Sequence, residues 1–257
     1  MRYDLTGISI HYESKGRGRP FLMLHGSPSD HTRAMAAVEP AFLSRKGWRR
    51  IYPDLPGHGR TPGADRIHDM DDYLEVLLEF VDGIFEGGAF SLGGVSFGAY
   101  LALGIARKRE SRVKGLLLSV PEVNHSPLEE RRDRAHGTPS IQTPSHLASK
   151  FPEYTEDTSW LEGLPFHDVT FPLYRSSKPF RAPTLFLFGR QDAPFRYHKY
   201  WELLPGFPRA TYAILDGAGH TLWHDRNGLA CVLLRDLLDR IEGTVDAPLT
   251  DIVALGK

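Results

Sequence analysis

The sequence predicts an α/β fold, a mostly parallel sheet covered by helices on both faces. Three observations carry the prediction. Short, fully apolar runs such as Phe21–Leu24 and Val113–Val120 have the composition of strands buried on both sides. A longer run, Asp71–Phe85, carries apolar residues at helical spacing (Leu74, Leu77, Leu78, Val81, Ile84, Phe85) with acids between them. The two textures alternate along most of the chain, as parallel strands joined by crossover helices require.

Taken in order, Arg2–Leu5 and Ile8–Tyr12 alternate in polarity around Thr6-Gly7 and read as an antiparallel hairpin. The basic, Gly-rich Ser14–Pro20 segment reads as a loop, and Phe21–Leu24 as the first buried strand. A helix spans about Asp30 to Ser44, and Trp48–Tyr52 is the next strand. Pro53–Arg60 is dense in turn residues. After the amphipathic helix Asp71–Phe85, the apolar stretch Phe90–Ala106 changes period from strand to helix around Gly94-Val95-Ser96-Phe97-Gly98. Val113–Val120 is a strand. From Pro121 to about Phe180 the alternation stops, Pro and Ser/Thr become frequent, and aromatics (Phe151, Tyr154, Trp160, Phe166, Phe171, Tyr174) recur. So many aromatics argue for a folded insertion, not a solvated linker. Alternation resumes with strand Thr184–Phe188, helix Phe195–Leu204, strand Ala210–Leu215 and one long helix, Thr221–Ile241. The expected organisation is a core of residues 1–120 and 181–257 with a cap of residues 121–180.

Composition limits the function classes. The chain has 257 residues, 25% charged and 41% hydrophobic, the balance of a soluble globular protein. A formal net charge of -1 without long runs of one sign argues against nucleic-acid or anionic-membrane partners. Neither a signal-peptide core nor a membrane-length apolar run is visible. The single cysteine, Cys231, falls in the apolar pattern of the last helix and reads as a buried, inert thiol. The expectation is a cytoplasmic monomer or homodimer acting on a small molecule.

In parallel sheets ligands bind beyond the carboxyl ends of the strands, and that is where the unusual loops fall. Ser96 sits at the apex of a strand-turn-helix, with Gly94 and Gly98 allowing close approach on either side. Taken alone, the motif fits equally a Gly-rich turn with an incidental serine. A serine hydroxyl needs a base, normally a histidine oriented by a carboxylate. Strand Thr184–Phe188 leads to Gly189-Arg190-Gln191-Asp192, and the next strand leads to Asp216-Gly217-Ala218-Gly219-His220. Both Asp192 and His220 therefore belong at strand ends, on the face where Ser96 lies. Asp216, too near His220 along the chain, and Glu122, just after the preceding strand, are the competing acids. His224 lies four residues beyond His220, as a metal pair would, but HTLWH lacks the HExxH glutamate and no third ligand is in view. His25-Gly26-Ser27 follows a buried strand, so the backbone N–H groups of Ser27 and Phe97 are the natural oxyanion hole. The His25 side chain reads as packing beneath its loop, and His58 as exposed or packed, not catalytic.

The segments LMLHGSP, YPDLPGHGRT, GGVSFGAYLALGIA, LFLFGRQD and LDGAGHTLW, in this order, resemble α/β-hydrolase fold enzymes, small bacterial members with a helical lid above all. The resemblance covers Arg2 to about Ile241, the insertion excepted. It implies an eight-stranded sheet with its second strand antiparallel and a helical cap after the sixth strand. It also implies Ser96 as nucleophile, His220 as base, Asp192 as acid, an oxyanion hole from Ser27 and Phe97, and no cofactor or metal. Dehalogenase and epoxide-hydrolase branches place an aspartate where Ser96 stands, which argues against those chemistries here. The implied activity is cleavage of an ester-type bond in a small, partly apolar substrate. N-terminal aminopeptidase or amidase action, thioester cleavage and a small-molecule receptor of the same fold are the alternatives. Trp160, Phe166 and Trp223 are candidate pocket residues.

Overall fold

A computed structural model describes residues 1–121, 178–192 and 197–244. Eight strands form one sheet: β1 (Arg2–Leu5), β2 (Ile8–Gly16), β3 (Arg19–Leu24), β4 (Trp48–Pro53), β5 (Phe90–Val95), β6 (Val113–Ser119), β7 (Thr184–Gly189) and β8 (Ala210–Leu215). Their spatial order is β1-β2-β4-β3-β5-β6-β7-β8. Only β2 runs against its neighbours, pairing antiparallel with β1 and β4, while β4 to β8 are mutually parallel. The predicted fold class, with its antiparallel second strand, is the one observed.

Helices α1 (His31–Phe42), α2 (Met70–Ile84), α3 (Phe97–Lys108), α4 (Leu222–Asp225) and α5 (Asn227–Glu242) cover the sheet. Strand periodicity divides the core in two. In β3, Leu22 and Leu24 join α2 and α3 on one face, whereas Phe21 and Met23 join α1 and α5 on the other. Both faces are buried, which is why β3 is apolar at every central position. Asp30 caps α1 and Asp69 caps α2, each accepting two backbone N–H groups of the first turn.

Three elements differ from expectation. The Ser14–Pro20 segment is mostly strand: Ser14, Lys15 and Gly16 pair with Ile51, Arg50 and Arg49. The connection shrinks to Arg17-Gly18, with Gly16 at φ +73° and Gly18 at φ +113° turning the chain. The helix expected over Phe195–Leu204 is a 3₁₀ helix, Tyr197–Gly206, held where the Tyr200 hydroxyl donates to the Pro121 carbonyl. The single final helix is broken at Arg226 (φ −136°) into α4 and α5. Asp225 reaches back to the Gly219 N–H and Thr221 Oγ1, so the first turn belongs to the His220 loop. Cys231 is buried on α5, and burial pushes its thiol pKa up. No helix among the described residues is long and apolar enough to cross a membrane. The expected cap, with Glu122, Trp160 and Phe166, lies outside the described residues except at its edges.

Candidate active site

Ser96 stands between β5 and α3 with φ 52° and ψ −118°, a left-handed conformation that side chains rarely adopt. The turn holds it there by close packing. A Cβ on Gly94 would overlap the Gly98 carbonyl, and one on Gly98 would overlap the carbonyls of Leu24 and His25. The Ser96 N–H donates to the Ser119 carbonyl at the end of β6 (2.9 Å). The serine is thus pinned on a strained backbone.

The ends of the next two parallel strands supply its partners. Ser96 Oγ lies 2.9 Å from His220 Nε2, and His220 Nδ1 lies 2.9 Å from Asp192 Oδ2. The Asp192 side chain is 1% exposed and that of His220 is 37% exposed, so the acid is sequestered while the imidazole faces outward. Of the competing acids, Asp216 is exposed and engaged by Gln191 and Arg190, and Glu122 lies outside the described residues. His224 sits beside Asp225 on α4, its Nδ1 3.4 Å from Asp225 Oδ1.

Gln191, not singled out in the sequence, holds the two loops together. Its Nε2 donates to Asp216 (2.8 Å), its Oε1 accepts from the Ala218 N–H (3.1 Å), and its own N–H donates to the Ala218 carbonyl (2.9 Å). The loop carrying Asp192 is therefore bonded directly to the loop carrying His220. Trp223 is buried in the core, and its Nε1 donates to Ser119 Oγ (2.9 Å), so the helix after His220 is tied to the strand that also bonds Ser96.

The Ser27 side of the site is organised by histidines. His25 Nδ1 donates to the Gly26 carbonyl (2.7 Å) and its Nε2 accepts from the Leu55 N–H (2.9 Å), so the ring bridges two loops instead of only packing beneath one. Burial, and then the neighbouring His58, lower its pKa from 6.5 to about 4. His58 is also buried and its pKa lowered, chiefly by desolvation. Its Nδ1 donates to the Pro56 carbonyl (3.0 Å), which leaves Nε2 to accept from the Ser27 hydroxyl (2.9 Å). Phe97 is buried, packing edge-on against Tyr73 with ring centroids 5.4 Å apart, so its side chain belongs to the core.

One buried carboxylate fastens this region to the sheet. Asp54 accepts from His31 Nδ1 (2.7 Å) and the His31 N–H (2.8 Å) on one oxygen, and from His11 Nδ1 (2.8 Å) and the Arg60 N–H (2.9 Å) on the other. Burial alone would raise its pKa, but the Arg60 and His31 backbone donors bring it below the usual range. His11, His31 and Asp54 have metal-ligand chemistry and lie within 4.8 Å of one another. With four donors already filling the carboxylate, the cluster is a structural hub joining β2, α1 and the loop after β4. Sequence reading missed it because its members are far apart along the chain.

A nucleophile-type serine, a histidine and a buried acid, in that chain order at successive strand ends, form the arrangement that activates a hydroxyl. A family model described as the alpha/beta hydrolase family matches residues 21–232. This chain belongs to that family. Haloalkane dehalogenase 2 of Mycobacterium tuberculosis is 28% identical over 45% of this α/β hydrolase and 40% of its own length. A proline iminopeptidase of Saccharolobus solfataricus is 31% identical over 45% of this chain and 38% of its own. The chain thus spans about two fifths of the length of the curated relatives it matches first. A crystal structure of an alpha/beta superfamily hydrolase from Oenococcus oeni superposes with TM-score 0.76 at 24% identity, covering 94% of this chain and 99% of that one. One relative is named for carbon–halogen cleavage and another for peptide cleavage, so family membership leaves the substrate of this α/β hydrolase open.

Proposed function

We propose that this α/β hydrolase is a serine hydrolase that cleaves an ester-type bond of a small, partly apolar substrate through an acyl-enzyme. The observation that supports this reading most directly is the continuous Ser96–His220–Asp192 hydrogen-bond chain on a strained turn. Asp192 accepts a hydrogen bond from the Nδ1–H of His220, holding the tautomer whose unprotonated Nε2 faces Ser96 as the base. Ser96 Oγ attacks the carbonyl carbon while its proton passes to Nε2. The resulting oxyanion is held by the N–H groups of Ser27 and Phe97, each worth about 3–4 kcal/mol in the transition state. His220 then protonates the leaving alcohol, and a water activated by the same imidazole releases the acid. A hydroxyl nucleophile suits acyl transfer; displacement at a carbon–halogen bond calls for a nucleophile that is already anionic.

The cap expected over residues 121–180 completes the reading. β6 and β7 are parallel neighbours, so the chain between them leaves β6 beside Ser119, whose carbonyl bonds Ser96. A cap leaving from that strand end would lie near Ser96, and its aromatics would suit an apolar acyl or alcohol group. The test is turnover of p-nitrophenyl acetate and butyrate. Wild type is expected to hydrolyse both, Ser96→Ala neither, and Asp192→Asn to fall about 10²–10⁴-fold, far more than Glu122→Gln. Retained turnover in Ser96→Ala contradicts the nucleophile, and a larger loss in Glu122→Gln moves the acid. Preference for thioesters or aminoacyl amides across a substrate panel would replace the ester reading while keeping the triad.

A further inference from the structure

Several arginines of the described surface meet carboxylates: Arg50 with Glu39, Arg66 with Glu79, Arg109 and Arg112 with Asp82, Arg45 with Asp239. One concavity instead gathers four cations together. At the end of the sheet opposite Ser96, a cavity of about 320 Å³ is lined by Arg19, Lys114, Arg209 and Arg240, and no carboxylate appears in its wall. Arg19 opens β3, Lys114 lies at the start of β6, Arg209 immediately precedes β8 and Arg240 is on the last turn of α5.

The four cations differ in how they are held. Arg240 is fixed, donating to Asp236 (2.9 Å), to the Arg209 carbonyl (3.1 Å) and to the Thr184 carbonyl (3.3 Å). Among the described residues, Lys114 Nζ has only a long contact to the Ser111 carbonyl (3.4 Å). The guanidinium groups of Arg19 and Arg209 have no hydrogen-bond or ion-pair partner among the described residues. Three uncompensated cations therefore share one hollow beside a fourth that shapes its wall. Like charges gathered this way repel one another, and an anion seated between them reverses the sign of that interaction. Guanidinium forks match tetrahedral oxyanions in geometry, and Phe90, Pro20 and Ile241 add an apolar floor. The volume sits at the lower end of the small-ligand range.

We infer that this cavity is a binding site for a small phosphate-bearing anion, a phosphomonoester or diphosphate carrying at least two negative charges. Arg19 belongs to the basic Ser14–Pro20 segment, which the hydrolytic site leaves unused. The site is separate from Ser96: Phe90 lines the cavity at the start of β5, and Ser96 follows the other end of that strand, about 20 Å away. None of its lining residues belongs to the Ser96–His220–Asp192 chain, so anion binding is expected without a reactive Ser96.

Calorimetric titration of the full chain with inorganic pyrophosphate at low ionic strength tests the inference. Wild type and Ser96→Ala are expected to bind one equivalent alike, and Arg19→Ala/Arg209→Ala to bind at least tenfold more weakly. Arg2→Ala/Lys15→Ala, which removes the same charge elsewhere, is expected to stay within twofold of wild type. Lys114→Gln, an exposed single change, is expected to weaken binding about threefold, so poor folding of the double variant does not block the test. No saturable binding by wild type, unchanged binding in the cavity variants, or equal weakening in the charge-matched control overturns the site.

Discussion

At the residue scale, chemistry is decided by which neighbour each polar atom is given. Ser96 has His220 and a backbone held at φ 52°; Ser27, one loop away, has His58. The His58–Ser27 bond does for the oxyanion side what the Asp192–His220 bond does for the base, since it fixes the residue whose N–H is proposed to meet the developing charge. Ser27→Ala keeps that N–H and removes only the anchor. It is expected to lower kcat about two- to tenfold with little change in KM, the effect of one hydrogen bond of about 0.5–1.5 kcal/mol. Steady-state kinetics on the butyrate ester measures it, and an unchanged kcat would show that the anchor is idle. Ser96, Asp192 and His220 were legible because each occupies a loop at a strand end and carries a residue type with few other uses there. The His58–Ser27 pair was not, because it joins positions 31 residues apart. Periodicity reports faces of elements, and nothing in it says which loop residues meet.

At the scale of elements, the sheet brings Ser96, Asp192 and His220 together by giving three parallel strands a common end, and loop-to-loop bonds set the final geometry. Gln191 is the clearest case, with two side-chain bonds into the Asp216–Ala218 segment. Gln191→Ala should cost about 1–2 kcal/mol of stability, from two lost bonds. Because Asp192 and His220 sit on the loops it joins, kcat is expected to fall about tenfold while KM holds. Denaturation and kinetics on the same preparation separate the two effects; a stability loss with unchanged kcat would make Gln191 only structural. The strands and most helices were readable in the sequence. Two of the three misread elements share a cause. Ser14–Gly16 looks like a loop by composition but gains a ladder with β4, and the α4–α5 break follows from Asp225 turning back toward Gly219. Both outcomes are tertiary, and local propensity does not contain them.

For the whole molecule, the loops around the site are tied to the core by groups buried in one protonation state. His25 has a pKa near 4 in the fold against an ordinary 6.5, so between those values the unfolded chain binds the proton that the folded chain refuses. Stability is therefore full above pH 6.5 and declines as pH falls toward 4, by on the order of 3 kcal/mol from His25 alone. His58 shifts in the same direction and adds to the slope. Urea unfolding across this window is expected to show the decline, and His25→Gln to flatten it; a level profile in wild type would contradict the buried neutral imidazole. The central claim, that Ser96 is an activated nucleophile, is tested most directly by intact-mass and peptide mass spectrometry after exposure to a fluorophosphonate. The account predicts one covalent adduct, on Ser96, absent from Ser96→Ala and strongly slowed in His220→Ala. An unlabelled wild type, or an adduct that persists when Ser96 is replaced, would contradict it.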